Sequence, residues 1–176
     1  MTAQTSGLAD VVLEDPIGGD SIPFGDLAAD PLTVILVRYF GCLPCQAFLA
    51  EVDQRVGDVP GSVVAVGGSA DYQARWLREK KGVMLPMLLD GPQVIRTTLE
   101  ITDLSTGEMS AGRGWASYGK ALLSGFRPQK PTRDARRAPG VAVFGPDLDL
   151  RWLHRGDTLG DYPSVEELIE AVSSVR

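Results

Sequence analysis

A chain of 176 residues with 44% apolar side chains suits one globular core, and 23 acids against 17 lysines and arginines leave a net charge of −6. That balance argues against nucleic acid or an anionic membrane as the main partner, and no stretch approaches the roughly 20 apolar residues of a membrane span. The first residues show no secretory signal, so the two cysteines are expected in a reducing cytoplasm, where such a pair is more often catalytic than structural.

Residues 1 to about 8 read as a polar tail. Val11–Asp15, the turn Gly18-Gly19-Asp20 and the return Ser21–Phe24 read as a hairpin, with Pro23 confining the return to a sheet edge. A brief helical turn at Asp26–Ala29 stops before Pro31. The stretch 33–39, built on Val34-Ile35-Leu36-Val37, has the continuous apolar pattern of a central strand buried on both faces. After Gly41 comes a helix over about 42–56, with Cys42 and Cys45 at its start and Pro44 in its first turn, where a missing N–H costs little.

Both sulfurs thus fall where a strand ends and a helix begins. The first helical turn leaves N–H groups unpaired and carries partial positive charge, so a thiolate there is stabilised and its pKa lowered. Two cysteines three apart can also close into a disulfide. The bland alternative is a pair of small buried hydrophobes. A structural zinc site needs four ligands, and the chain has one histidine, His154, and no second cysteine pair.

Ser62–Val66 reads as the next buried strand, followed by a helix over Tyr72–Lys81 capped by Asp71, with Trp76 and Leu77 inward and Gly82 as its stop. Strand, helix, strand, helix at this spacing implies a parallel βαβ arrangement. Val83–Gly91 reads as a packed loop under the sheet, with a short helix at about 92–100. Residues 103–137 break the rhythm: Ser, Gly, Arg and Lys surround the apolar anchors Trp115, Tyr118, Leu122, Leu123 and Phe126, with a short helix at 115–124. So long a segment without regular pattern is either a solvated insertion or a flap over the cysteines. Val141–Phe144 is a strand, 148–154 an antiparallel edge strand carrying His154 as a packing residue, and Ser164–Glu167 a capping box that opens a last helix with Leu168, Ile169 and Val172 inward.

Val37-Arg38-Tyr39-Phe40-Gly41-Cys42-Leu43-Pro44-Cys45, supported by Val83–Gly91 and Ala138–Phe144, resembles the active-site segment of the thioredoxin-like superfamily, nearest its peroxiredoxin-like branch of alkyl hydroperoxide reductase and thiol-specific antioxidant proteins. The resemblance implies an α/β thioredoxin-like fold: a central mixed sheet flanked by helices, an N-terminal hairpin, and an insertion at 103–137 before a strand led by a cis proline at Pro139. It implies one domain over residues 1–176. It implies a thiol-dependent oxidoreductase whose Cys42–Cys45 dithiol reduces a peroxide, an endoperoxide or a disulfide, with no bound cofactor and an external thiol protein or small thiol as reductant. Arg38, Tyr39, Phe40, Pro139 and Arg137 are the expected substrate contacts, with Arg136 an alternative to Arg137 for the arginine that peroxiredoxins keep nearby. The resemblance allows a homodimer.

The order of sulfur attack stays open. By analogy with thioredoxin Cys42 is exposed and attacks while Cys45 resolves, and that is the favoured order. The peroxiredoxin comparison aligns the reactive sulfur with Cys45. Two family features are absent: Leu36 stands where thioredoxins bury an aspartate, and Gly41 where they place a tryptophan. A redox-responsive binding module without turnover, and a tailoring enzyme for small metabolites, are the alternative functions.

Overall fold

A computed structural model describes Thr5 and residues 7–175. One seven-stranded mixed sheet runs through them in the order β2-β1-β5-β4-β3-β6-β7. β1 (Val12–Glu14) and β2 (Ser21–Pro23) form the expected hairpin, with Pro23 on the edge strand. β3 (Leu32–Leu36) pairs parallel with β4 (Ser62–Gly67), and β4 parallel with β5 (Met87–Leu89). α1 (Leu43–Gln54) and α2 (Asp71–Lys81) are the two crossovers. α3 (Val94–Thr98), α4 (Thr106–Met109) and α5 (Gly112–Leu123) follow. β6 (Gly140–Phe144) returns antiparallel to β3, β7 (Leu150–Arg155) closes the other edge, and α6 (Val165–Ser174) ends the described chain behind its capping box.

β3 and β6 are buried throughout, and their side chains alternate between two apolar layers. Ile35, Val141 and Val143 join Leu49, Val52, Leu77, Leu168 and Val172 from α1, α2 and α6. Leu32, Val34, Leu36, Ala142 and Phe144 join Leu13, Phe24, Ile95 and Leu99 on the opposite face. Helices pack on one side, and the N-terminal segment with α3 covers the other. This is the physical basis of the continuous apolar runs in the sequence.

Register fixes the site. β3 ends at Leu36, opposite Gly140 of β6, so the antiparallel return carries residues 135–139 to the end of β3 where the cysteine loop begins.

Four local expectations are corrected. The segment 83–91 is not only a packed loop, because Met87–Leu89 pairs with Ala65–Gly67 and with Glu14 and so becomes a strand. The tail expected over 1–8 ends sooner: Leu8 lies in a 3-10 helix, buried in the second core layer, while residues 1–4 and 6 lie outside the described residues. The cap of α2 is Ala70 at φ 63°, and Asp71 is the first helical residue, its carboxylate accepting the Tyr72 N–H at 2.7 Å. The peptide bond before Pro139 is trans; among the described residues the cis bond is Asp30–Pro31. At Pro139 the chain runs straight into β6, with its carbonyl accepting the Gly156 N–H at 2.8 Å.

Phe144 is fully buried and meets Phe24 edge to face at 5.7 Å, tying β6 to the N-terminal segment. Phe144→Ala is expected to cost about 3–5 kcal/mol, read as a fall in the urea midpoint with unchanged slope.

Candidate active site

Cys42 caps α1 with extended backbone (φ −68°, ψ 127°), and Cys45 is the third residue of the helix. Neither sulfur is exposed: both cysteines are at 0%. The expectation of an exposed Cys42 is therefore overturned, and exposure does not distinguish the two. What covers them is the segment after α3.

Arg38, two residues past β3 and 2% exposed, is the hub. Its guanidinium reaches the Cys42 Sγ at 3.5 Å and the Tyr118 hydroxyl at 3.4 Å. It also donates to the Arg137 carbonyl at 3.1 Å and to the Ala135 carbonyl. Burial works against its charge, but the two sulfurs and Tyr118 outweigh that and raise its pKa above the usual arginine range. Tyr118, on α5, brings the long segment directly against the sulfur site.

Two buried glutamines complete the closure. Gln46, one residue past Cys45, donates to the Gly41 carbonyl at 2.9 Å and the Arg127 carbonyl at 3.2 Å. Gln73 accepts the Gly41 N–H at 2.9 Å and donates to the Lys130 carbonyl at 3.0 Å. A Cβ on Gly41 would lie 2.6 Å from the Gln73 amide and 2.7 Å from Gln129, so the tryptophan of thioredoxins has no room here.

On the other side of the sulfurs stands Tyr162, in the loop before α6. Its hydroxyl donates to the Cys45 Sγ at 3.3 Å, and its ring stacks on Phe48 at 4.3 Å. Burial pushes the thiols up, and Cys42 stays high because its neighbour carries the charge. For Cys45 burial is outweighed by the donated Cys42 S–H, the Arg38 charge and the Tyr162 O–H, which together bring it down to about 6. Burial pushes Tyr118 up to about 12 and Tyr162 well above the usual phenol value, so both are neutral hydroxyl donors at neutral pH.

The remaining expected residues divide. Tyr39 is buried beside the site, its ring 5.7 Å from the Arg38 guanidinium. Phe40 is fully buried core: a Cβ on Gly67 would meet its ring at 2.8 Å, so it faces β4 rather than a substrate. Arg137 gives the site its carbonyl, while its guanidinium pairs with Asp103 at 2.8 Å. Arg136 is exposed and reaches the Leu104 carbonyl. The buried arginine near the returning strand is instead Arg96 of α3, bonded to the carbonyls of Val37 and Ala138. His154 packs on Trp152 and bonds the Asp161 carbonyl.

The carbonyls on the approach to β6, where Pro139 was expected to contact substrate, are all taken. The carbonyls of Ala135 and Arg137 accept from Arg38, that of Arg136 from the Leu104 N–H, that of Ala138 from Arg96, and that of Pro139 from Gly156. A surface groove of about 580 Å³ runs between α1 and α5, lined by Pro44, Phe48, Ser117, Ala121, Tyr162 and Pro163. Tyr162 is thus shared by the groove and the Cys45 sulfur. Among the described residues, no three His, Cys, Asp or Glu side chains stand together as a metal cluster.

No family model and no curated protein sequence matches this chain. Solved structures do match it. A cysteine-to-serine variant of Xylella fastidiosa PrxQ aligns at TM-score 0.63 and 11% identity, over 99% of this chain and 94% of its own. Peroxidoxin BcpB from Mycobacterium tuberculosis aligns at 0.62 and 13%, over 99% and 97%. MTB DsbF, solved in mixed oxidised and reduced forms, aligns at 0.59 and 15%, over 96% and 97%. The fold is that of the peroxiredoxin-like thioredoxin-fold proteins.

Tyr118, Tyr162, Gln46, Gln73 and Arg96 were not marked as site residues by sequence. Tyr118 showed only as an apolar anchor of the segment 103–137, and Tyr162 carried no signal beyond preceding Pro163 and the capping box.

Thiolate absorbance near 240 nm should rise with pH around a midpoint of about 6, because Cys45 is ionised above that value and protonated below it. Tyr162→Phe removes one donor and should move the midpoint upward. A wild-type midpoint near the ordinary thiol value of 9.0 would contradict this charge assignment.

Proposed function

We propose that this protein is a thiol-dependent oxidoreductase that reduces the O–O bond of a peroxide, with Cys45 as the attacking sulfur and Cys42 as the resolving one. The observation that carries this reading is the arrangement at Cys45. A buried sulfur accepts from both the Tyr162 hydroxyl and a second thiol, beside a buried guanidinium.

The Cys45 thiolate attacks the terminal oxygen of the peroxide. The O–O bond breaks, the sulfur becomes a sulfenic acid, and the leaving oxygen takes a proton and departs as an alcohol or water. Charge developing on that oxygen faces Arg38, with the neutral hydroxyls of Tyr118 and Tyr162 as hydrogen-bond donors. Cys42 then loses its proton and attacks the Cys45 sulfur. Hydroxide leaves as water and the disulfide forms. An external dithiol returns two electrons by two thiol–disulfide exchanges.

The filled carbonyls over 135–139 favour a small substrate over an extended polypeptide, since no strand edge is left for main-chain pairing. The groove shared by Phe48 and Tyr162 gives an organic peroxide an approach to Cys45. Alkyl peroxide reduction is named for the bacterioferritin comigratory protein of Xanthomonas campestris, which aligns at TM-score 0.57 and 11% identity over 96% of this chain. The DsbF likeness supports exchange with a disulfide or dithiol partner in the resetting half of the cycle.

The complete burial of both sulfurs favours one second reading, a redox-responsive binding module whose disulfide alters the covering segment without turnover.

Peroxide consumption coupled to a thioredoxin or glutathione reductant separates the two. The enzyme reading expects sustained turnover, loss of at least about 100-fold in Cys45→Ser, and a single turnover in Cys42→Ser that leaves a dimedone-reactive sulfenic acid on Cys45. Dimedone labelling of Cys42 in Cys45→Ser would reverse the two roles. Unchanged turnover in both variants, or none in the wild type, would remove the peroxidase assignment.

A further inference from the structure

The charge of this chain is strongly segregated. Residues 111–137 hold seven cations (Arg113, Lys120, Arg127, Lys130, Arg133, Arg136 and Arg137) against the single acid Asp134, a net of +6. The rest, with ten cations against twenty-two acids, carries −12. The whole-chain value of −6 therefore averages two parts of the chain of opposite sign, which meet where Arg113 lies 3.9 Å from Asp157 and Arg137 2.8 Å from Asp103.

The same segment exposes its largest apolar side chains. Trp115 is 61%, Leu122 53% and Leu123 91% exposed. On α5 these fall at i, i+7 and i+8, with Ala116 and Gly119 between them, so they form one outward apolar stripe. The inward face is a different set, Gly114 and Ala121, packed toward Leu159 and α1. Arg113 and Lys120 flank the outward stripe, and Arg127 and Lys130 follow the helix, all of them exposed. Asp134 is buried and offsets little of this surface charge.

We propose that the outer face of α5, with the basic stretch after it, docks on an anionic lipid bilayer. The apolar stripe enters the acyl boundary, and the cations lie against lipid headgroups. An amphipathic helix with Trp and Leu outward and Lys and Arg at its border has the chemistry of an interfacial element. Its basic flank adds electrostatic attraction that falls off within a Debye length, about 8 Å at physiological salt. At that range the acidic remainder of the molecule is screened, so net charge sets the orientation of docking and does not forbid it.

Two other occupants fit less well. A second copy meeting this face across a two-fold axis would set Arg113, Lys120 and Arg127 against their own counterparts. A folded acidic protein would need to wrap side chains that stand out from a convex helix, whereas an acyl layer accepts them singly.

The proposal does not depend on the redox chemistry, and its test reads binding alone. The full-length protein is sedimented with vesicles of phosphatidylcholine containing phosphatidylglycerol, and with vesicles of phosphatidylcholine only. The expected result is partition onto the anionic vesicles, a blue shift of tryptophan fluorescence, and weakening with added salt. Leu122→Ser/Leu123→Ser and Arg113→Glu/Arg127→Glu should each weaken partition about tenfold or more. These side chains are exposed, so the thiol titration should be unchanged in Leu122→Ser/Leu123→Ser and report an intact fold. Absence of partition at low salt, or equal partition by wild type and both variants, overturns the proposal. So does a dimer in solution that Leu122→Ser/Leu123→Ser dissociates while vesicles go unbound, or binding to an acidic polypeptide such as polyglutamate without binding to vesicles.

Discussion

The buried guanidinium of Arg38 is the constraint on which the site depends. A charge taken out of water is costly unless it is paired and its N–H groups are bonded. Here the pairing is divided among a sulfur, a tyrosine hydroxyl and two main-chain carbonyls. Each partner belongs to a different part of the chain: the cysteine loop, α5, and the stretch that leads into β6. One side chain therefore couples the protonation of the dithiol to the position of the segment above it. The guanidinium bonds the Cys42 sulfur directly and acts on Cys45 through its charge, and Leu36 leaves no carboxylate on β3 to compete for it.

The cover over the sulfurs is held by polar contacts more than by apolar packing. Gln46 and Gln73 bond the carbonyls of Arg127 and Lys130, and Gly41 leaves the space that the covering chain occupies. Buried side chains satisfying main-chain carbonyls fix a segment that has little regular structure of its own. The carbonyls of Ala135 to Pro139 are taken as well, by Arg38, Arg96 and the N–H groups of Leu104 and Gly156. The outward apolar stripe and basic border of α5 are left to solvent, so one helix closes the dithiol with Tyr118 on its inner side and offers a different chemistry outside.

The two tyrosines hold different members of the site. Burial keeps both protonated; Tyr162 donates to a sulfur, and Tyr118 accepts from the guanidinium. Tyr162 meets Cys45 and Tyr118 meets Arg38, which makes the site asymmetric even though neither cysteine is exposed. It is this asymmetry that singles out Cys45 as the charged sulfur.

Elements whose causes are local could be read along the chain. The apolar run at 33–37 could only be a strand buried on both faces, Gly82 could only stop its helix, and Ser164 with Glu167 spelled a cap. The Cys42–Cys45 spacing put both sulfurs at a strand-to-helix junction, and there they stand, Cys42 as the cap and Cys45 in the first turn of α1. The features that could not be read this way involve residues far apart in the chain. Met87–Leu89 became a strand through partners at Ala65–Gly67 and Glu14, the stretch before β6 closed around Arg38 without a cis bond at Pro139, and the buried arginine bonded to the Ala138 carbonyl is Arg96 of α3. Tyr162 lies 117 residues from the sulfur it meets. Periodicity and capping act over a few residues and can be read along the chain, whereas burial, charge pairing and the ionisation of a thiol depend on neighbours that folding alone brings together.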